Sequence, residues 1–281
     1  MNQSVAGRSE DTSDFHRKIV DFVRKELRPI ELQVETSGII PEEIVEKMRK
    51  FGLFGMSIPE VYGGLGLSTL DEIMVYEALT RTNACFRSRI GTSNSIGSMG
   101  ILYDGTEEQK QAYLPHIAAG EWTAAFALTE PDAGSDASNI RTSAVLEGDY
   151  WILNGSKQFI TNADCATVFT TIAVTDEEKR TRGGVTAFIV EKDMPGFMVG
   201  YPDRKMGIKG SQTCELVFKN CRVPRENVIG GQSMIGQGFK TAMRVLDKGR
   251  LTMGACALGA SQEMLEMCVN RVRGSMAAGV H

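Results

Sequence analysis

Residues 143–153 read Ser-Ala-Val-Leu-Glu-Gly-Asp-Tyr-Trp-Ile-Leu, and this stretch decides the fold class. Two short runs, 143–147 and 150–153, carry aliphatic and aromatic side chains and flank the turn pair Gly148-Asp149. That pattern predicts a β-hairpin. Downstream, 168–174, 185–191 and 213–218 read as further strands, punctuated by Gly183-Gly184 and Pro195-Gly196. Upstream, 123–128 is strand-like. No helix alternates with these runs, which argues against a doubly wound parallel sheet. A mainly antiparallel barrel or sandwich is expected.

Helical patterning lies on both sides. Phe15, Ile19, Phe22, Val23, Leu27 and Ile30 recur at helical spacing. Pro41-Glu42-Glu43 opens a second helix: proline suits the first turn and the carboxylates complement the dipole. Gly52 marks its stop. Ser68 with Asp71, or Thr69 with Glu72, caps a helix that runs to Thr80, and Thr106 with Gln109 repeats the device. After Gly236, residues 239–269 predict one long helix with glycine interruptions. The expected class is α+β, with an all-helical domain at 1–122, an antiparallel β-domain at 123–232, and the start of a helical bundle at 233–281. Residues 274–281 show no periodic apolar face and read as a frayed end.

The chain has 281 residues, 42% of them hydrophobic and 23% charged, an ordinary globular balance that argues against disorder. A net charge of −4 argues against wholesale nucleic-acid binding. No apolar run reaches the length of a membrane helix, and 1–14 has no signal-like core, so a cytoplasmic protein is expected. Cys85, Cys165, Cys214, Cys221, Cys256 and Cys268 form no C-x-x-C pair and read as free, mostly buried thiols. The three histidines lie far apart, so no metal site is expected.

Gly63-Gly64-Leu65-Gly66 lacks the strand and third glycine of a dinucleotide loop and reads as a structural loop opening the next helix. Thr129-Glu130-Pro131-Asp132-Ala133-Gly134-Ser135-Asp136 is open to two readings. It can be an ordinary capped turn, or its free amides and hydroxyls can hold a phosphate or heteroaromatic edge. Residues 155–161 read as a strand with one exposed edge. Asp247 and Arg250, at i,i+3, read as a solvated helix pair. Glu263 and Glu266 read as ordinary helix surface.

Six blocks together resemble the acyl-CoA dehydrogenase family. They are 126–136 (Phe-Ala-Leu-Thr-Glu-Pro-Asp-Ala-Gly-Ser-Asp), 153–162 (Leu-Asn-Gly-Ser-Lys-Gln-Phe-Ile-Thr-Asn), 206–213 (Met-Gly-Ile-Lys-Gly-Ser-Gln-Thr), 223–230, 236–239 and 246–250. The loop at 59–66 also fits, and the likeness runs in order from about Asp14 to Arg273. The resemblance implies a three-domain flavoenzyme, usually a homotetramer, with FAD between the β-domain and the C-terminal helices. By motif, Phe126, Leu128, Thr129, Gly134 and Ser135 would line the flavin and its pyrophosphate. Phe159, Ile160 and Thr161 would flank the ring system, with phenylalanine at 159 where many members have tryptophan. Ser135, Asp247 and Arg250 would fall near acyl-CoA.

The implied reaction is α,β-dehydrogenation of an acyl-CoA thioester to the enoyl-CoA, with electrons passed to an electron-transfer flavoprotein. A glutamate removes the α-proton. In most members it lies far downstream, and in some it precedes the residue equivalent to Arg250, where this chain has Gly249. The likeness stops after Arg273, so a chain without its base is expected. Two other outcomes stay open: a non-catalytic remnant that binds FAD or acyl-CoA or pairs with related subunits, and an oxidase or monooxygenase on the same scaffold. Residues 210–216 resemble short-chain and branched-chain members most.

Overall fold

The computed structural model describes residues 10–274; the expected frayed end at 275–281 lies outside them. The helical layer comprises α1 (Glu10–Phe22), α2 (Glu31–Ser37), α3 (Glu42–Lys50), α4 (Thr69–Leu79), α5 (Ala84–Asn94), α6 (Met99–Asp104) and α7 (Glu107–Ala118). The apolar stripe of 15–30 does not form one α-helix. After α1 the chain passes a π turn at Val23–Leu27 and a 3-10 turn at Arg28–Ile30, where Pro29 removes an amide donor. Ile19, Phe22, Val23 and Leu27 still share one buried core with Tyr76, Leu79 and Phe86. Pro41 sits just outside α3, extended, rather than in its first turn. Of the two caps open for α4, Ser68 is used, its hydroxyl accepting from the Asp71 amide. Thr106 and Gln109 form the expected capping box. The Gln109 amide also donates to the carbonyls of Glu226 and Val228, both at 2.8 Å, and so ties α7 to the β-domain.

Among the described residues the seven strands are β1 (Ala124–Ala127), β2 (Ser143–Glu147), β3 (Tyr150–Thr161), β4 (Val168–Val174), β5 (Val185–Glu191), β6 (Phe197–Pro202) and β7 (Thr213–Pro224). They form one sheet in the order β1-β4-β2-β3-β7-β6, with β5 on β4. Most pairs are antiparallel, but β1 and β2 both meet β4 in parallel. The β2–β3 hairpin pairs Glu147 with Tyr150 as the opening stretch predicts. Strands β3 and β7 run further than their apolar runs, and β6 was not foreseen. The sheet's core closes on edge-to-face rings: Trp151 on Phe188 at 5.5 Å and Phe169 on Phe197 at 4.9 Å.

Helix α8 (Gly238–Arg273) is unbroken over 36 residues, so its glycines do not interrupt it. Gly259 shows why one of them is there. A Cβ at that position would stand 2.1 Å from the Glu77 carbonyl oxygen and 2.5 Å from Thr80 Oγ1. Helix α8 therefore lies directly on α4, and Ala255 and Cys256 enter the core of the helical layer. Charge holds the same contact: Lys248 reaches the buried Glu72 at 2.9 Å, Arg81 reaches Glu266 at 3.3 Å, and Arg28 pairs with Glu263. Glu263 and Glu266 are thus not ordinary helix surface. They are interhelical ion-pair partners, and the Glu263 side chain is only 14% exposed. The opposite side of α8 shows Leu251, Leu258, Met264, Leu265 and Val272 to solvent.

The two helical glycines Gly259 and Gly254 should respond oppositely to alanine. At Gly254 nothing lies within 4 Å of an added Cβ, so Gly254→Ala is expected to stabilise by about 0.5–1 kcal/mol through helix propensity. Gly259→Ala is expected to destabilise by about 1–3 kcal/mol, because overpacking against a carbonyl outweighs that gain. Urea unfolding of the two variants checks both signs.

Candidate active site

The site is organised around a lysine. Lys157 on β3 is fully buried, and its ammonium donates to Glu130 Oε1 at 2.7 Å and to the Leu128 carbonyl at 3.1 Å. The Glu130 carboxylate, 6% exposed, also accepts from the amides of Arg141 (2.6 Å) and Thr142 (3.0 Å). Burial pushes the Lys157 ammonium down to about 8, with Glu130 opposing. Burial also acts to raise the Glu130 carboxyl, but Lys157 and the amide donors outweigh it and hold the group below its ordinary value. The pair fixes the 129–136 loop against β3, helped by the Gln158 amide, which donates to the Thr129 carbonyl at 2.8 Å.

Fixing Lys157 inward forces a bulge. In a regular strand Lys157 and Ile160 would point to opposite faces. Both are buried, because the β3–β7 register shifts between them. Phe159 takes up the irregularity with φ of +59° and turns outward, 59% exposed. A left-handed phenylalanine costs about 1–2 kcal/mol, which the surrounding pairs sustain.

The sequence-selected residues separate into three groups. Phe126 and Leu128 are buried in the core shared by β1 and the helices, and Ile160 is buried in the sheet core. These three face the interior. Gly134 and Ser135 are exposed on the loop and Thr129 is half-buried. Among the described residues the Thr129 and Ser135 hydroxyls and the Gly134 and Ser135 amides make no hydrogen bond. An added Cβ on Gly134 would meet nothing within 4 Å. By contrast, the amides of the Gly63–Gly66 loop are taken up internally: Leu65 donates to the Gly55 carbonyl and Gly66 to the Ile58 carbonyl. That loop is structural, as read.

The third group surrounds a cleft of about 540 Å³ between α5, the end of β3 and α8. Thr161, Arg250 and Gly249 line it, with Thr92 and Ser95 from the α5 side and Arg87 further along α5. Asn162, not singled out from the sequence, places Thr161 there. Its amide donates to the Ser88 carbonyl at 2.9 Å and to Thr92 Oγ1 at 2.8 Å. It too adopts positive φ, +61°, which asparagine tolerates. Asp247 and Arg250 pair at i,i+3 as read. Arg250 nevertheless faces the cleft, while Asp247 is not among its lining residues. Ser135 also lies outside this cleft. No carboxylate stands among the lining residues.

All six cysteines are free, and four are buried. Burial raises the Cys85 thiol to about 12. Among the described residues no three His, Cys, Asp or Glu side chains group as metal ligands, and no helix is long and apolar enough to cross a membrane.

A helical layer, a curled sheet with a pinned loop, and a cleft under a long helix define a class that comparison with known proteins supports directly. The family model of the acyl-CoA dehydrogenase N-terminal domain matches residues 9–121, and that of the middle domain matches 125–221. An acyl-CoA dehydrogenase of Bacillus subtilis (strain 168) is 43% identical over 255 residues, covering 90% of this chain and 66% of that protein. The butyryl-CoA dehydrogenase structure from Megasphaera elsdenii superposes with a TM-score of 0.91 at 36% identity, covering 100% of this chain and 72% of that one. An acyl-CoA dehydrogenase from Bacillus anthracis, solved in complex with FAD, gives a TM-score of 0.88 at 34% identity, over 98% of this chain and 47% of that one. The chain belongs to the acyl-CoA dehydrogenase family. It spans 66% of the length of the Bacillus subtilis relative.

Replacing Lys157 by methionine leaves Glu130 as a buried unpaired carboxylate. Lys157→Met is expected to destabilise by about 3–5 kcal/mol, with part of the loss recovered when Glu130→Gln is added. The lowered Glu130 carboxyl sets the pH signature. Its contribution is complete above the ordinary value of 4.5 and is lost as pH falls through the lowered folded value. The stability difference between wild type and Glu130→Gln should therefore shrink below pH 4.5 in urea titrations. A difference constant from pH 7 to pH 3 would contradict the assignment.

Proposed function

We propose that this chain carries the FAD- and acyl-CoA-binding part of an enzyme that dehydrogenates acyl-CoA thioesters at the α,β bond. One observation carries the reading: Asn162 presents Thr161 at a 540 Å³ cleft whose opposite wall is the Leu246–Arg250 segment of α8. On this reading the domains divide at 1–122, 123–232 and 233–281.

The residues fit a flavin dinucleotide. The unpaired hydroxyls of Thr129 and Ser135 and the free Gly134 and Ser135 amides would hold a pyrophosphate, and the outward Phe159 ring would cover one side of the isoalloxazine, with Thr161 at its edge. FAD, when bound, supplies hydride acceptance. The protein's part is placement. The Lys157–Glu130 pair holds the loop and β3 in fixed relation, Asn162 orients Thr161, and Arg250 offers positive charge at the cleft for the CoA moiety. The fully buried Ile160 and Phe169 keep water from the sheet side. Electron transfer to an electron-transfer flavoprotein belongs to the same reading. So does assembly with further subunits, which the exposed leucines and methionines of α8 favour.

Proton abstraction separates this chain from a complete catalyst. No cleft-lining residue is an acid, so the 281-residue chain is expected to bind flavin and acyl-CoA without turnover. An anaerobic titration with butyryl-CoA, followed by flavin absorbance, should leave the band unbleached; bleaching by the wild-type chain would refute this. Gly249 gives the converse test. A Cβ there meets only Ile96 Cγ2, at ordinary contact distance of 3.5 Å, and Gly249→Glu would add a carboxylate at a residue of the cleft wall. That variant is expected to bleach the band with the same thioester.

A further inference from the structure

The two walls of the cleft are tied to each other by a chain of buried polar contacts. Lys248 on α8 stands one residue before Gly249, and neither it nor Glu72 lines the cleft. The Lys248 ammonium meets the Glu72 carboxylate on α4 at 2.9 Å, with the two side chains 16% and 1% exposed. The Met99 sulfur lies 4.0 Å from the same ammonium. The Ser57 hydroxyl sits between Glu72 Oε1, at 2.8 Å, and the Asn94 carbonyl, at 2.5 Å. The Ser57 amide donates to Asn94 Oδ1 at 3.3 Å. Asn94 is fully buried, ends α5, and donates from its side chain to the Leu53 and Ile90 carbonyls. Ser95 and Ile96, which follow it directly, line the cleft from one side, and Gly249 and Arg250 line it from the other.

A buried ion pair is often no more stabilising than apolar packing of equal volume, but removing either partner strands the other charge. What the pair adds is direction: the carboxylate accepts only where a donor points at it. Among the described residues Lys248 is the one cation paired with Glu72. The other interhelical ion pairs of α8 lie to either side of it along the helix, Arg244 with Asp104 before it and Glu263 and Glu266 after it. Gly249 has no side chain to space the walls, and a Cβ there would meet only Ile96 Cγ2, at 3.5 Å. The run Lys248–Glu72–Ser57–Asn94 is therefore a direct polar link between the 246–250 wall and the 91–96 wall.

We propose that Lys248 and Glu72 are positioning residues for acyl-CoA: their pair sets the spacing of the two cleft walls, and with it the seat of the acyl chain. The inference rests on the acyl-CoA reading above and deepens it. Neither residue touches the ligand. Flavin, on that reading, is held by the 129–136 loop and by residues 159–161, so its binding does not depend on the pair.

Two affinities measured on each purified variant test this. FAD is followed by quenching of flavin fluorescence, and butyryl-CoA by calorimetric titration of the flavin-loaded chain. Lys248→Met is expected to weaken butyryl-CoA binding by about tenfold or more, since a misplacement of about 1 Å spoils a seated geometry. Its FAD affinity should stay that of wild type. Lys248→Arg keeps the charge and should retain most of the butyryl-CoA affinity. The double variant Glu72→Leu/Lys248→Met separates position from stability. It replaces the pair by apolar packing, so urea unfolding should show stability near wild type, with butyryl-CoA affinity still reduced. A merely structural pair would give affinity that returns with stability. That return, wild-type affinity in Lys248→Met, or an equal loss of FAD affinity in that variant would overturn the proposal. The double variant decides even where Lys248→Met does not fold. A wild type that binds FAD but no butyryl-CoA would sink the acyl-CoA reading and this inference with it.

Discussion

The Lys157–Glu130 ion pair is the constraint from which the site follows. Two opposite charges sit where water does not reach, one on β3 and one on the loop after β1. Neither tolerates the absence of the other in a low-dielectric interior. The loop at 129–136 therefore cannot drift from the strand. The two backbone amides on Glu130 extend the same fixation to residues 141 and 142, where β2 begins. Strands β1, β2 and β3 thus meet at one carboxylate. The exposed and unpaired donors of Thr129 and Ser135 gain a fixed position from a pair that never touches solvent.

The pair also imposes the irregularity beside it. With Lys157 and Ile160 both inward, the strand must carry an extra residue, and Phe159 is the one displaced. That left-handed phenylalanine and the left-handed Asn162 stand where the sheet meets the cleft. Functional sites commonly store backbone strain of this kind because the surrounding packing over-determines it. Here the over-determination is visible: a buried charge before the bulge, a buried isoleucine after it, and an asparagine bonded to three residues of α5.

Legibility in the sequence tracked burial pattern. Strands β4 and β5 were bounded correctly because nearly every residue in them is buried and most are apolar or β-branched, which gives compact strand-like runs. Strand β6 was not seen, because it is an edge strand containing Gly200 and Pro202 with no alternation of burial. The second half of β3 begins Asn154-Gly155-Ser156-Lys157, whose polarity reads as surface, although Lys157 is a core residue. Lysine is almost never buried unless paired, and its partner stands 27 residues away. The same distance effect hid Arg87, whose contacts Tyr76 and Thr252 come from other helices. Motif likeness pointed to the loop and strand as blocks. It did not separate residues that face the cleft, such as Thr161, from those that support it, such as Phe126 and Ile160.

The close seat of α8 on α4 bears on how the molecule is made. The core of the helical layer contains Ala255 and Cys256, so that layer lacks part of its interior until those residues have left the ribosome. The intervening sheet, whose strands end at Pro224, is fully synthesised before α8 emerges. Translation therefore delivers a complete sheet between two incomplete halves of a helical layer. The first half waits with its apolar face uncovered, as segments of high sequence separation must. Docking of α8 is then the event that consolidates the first hundred residues.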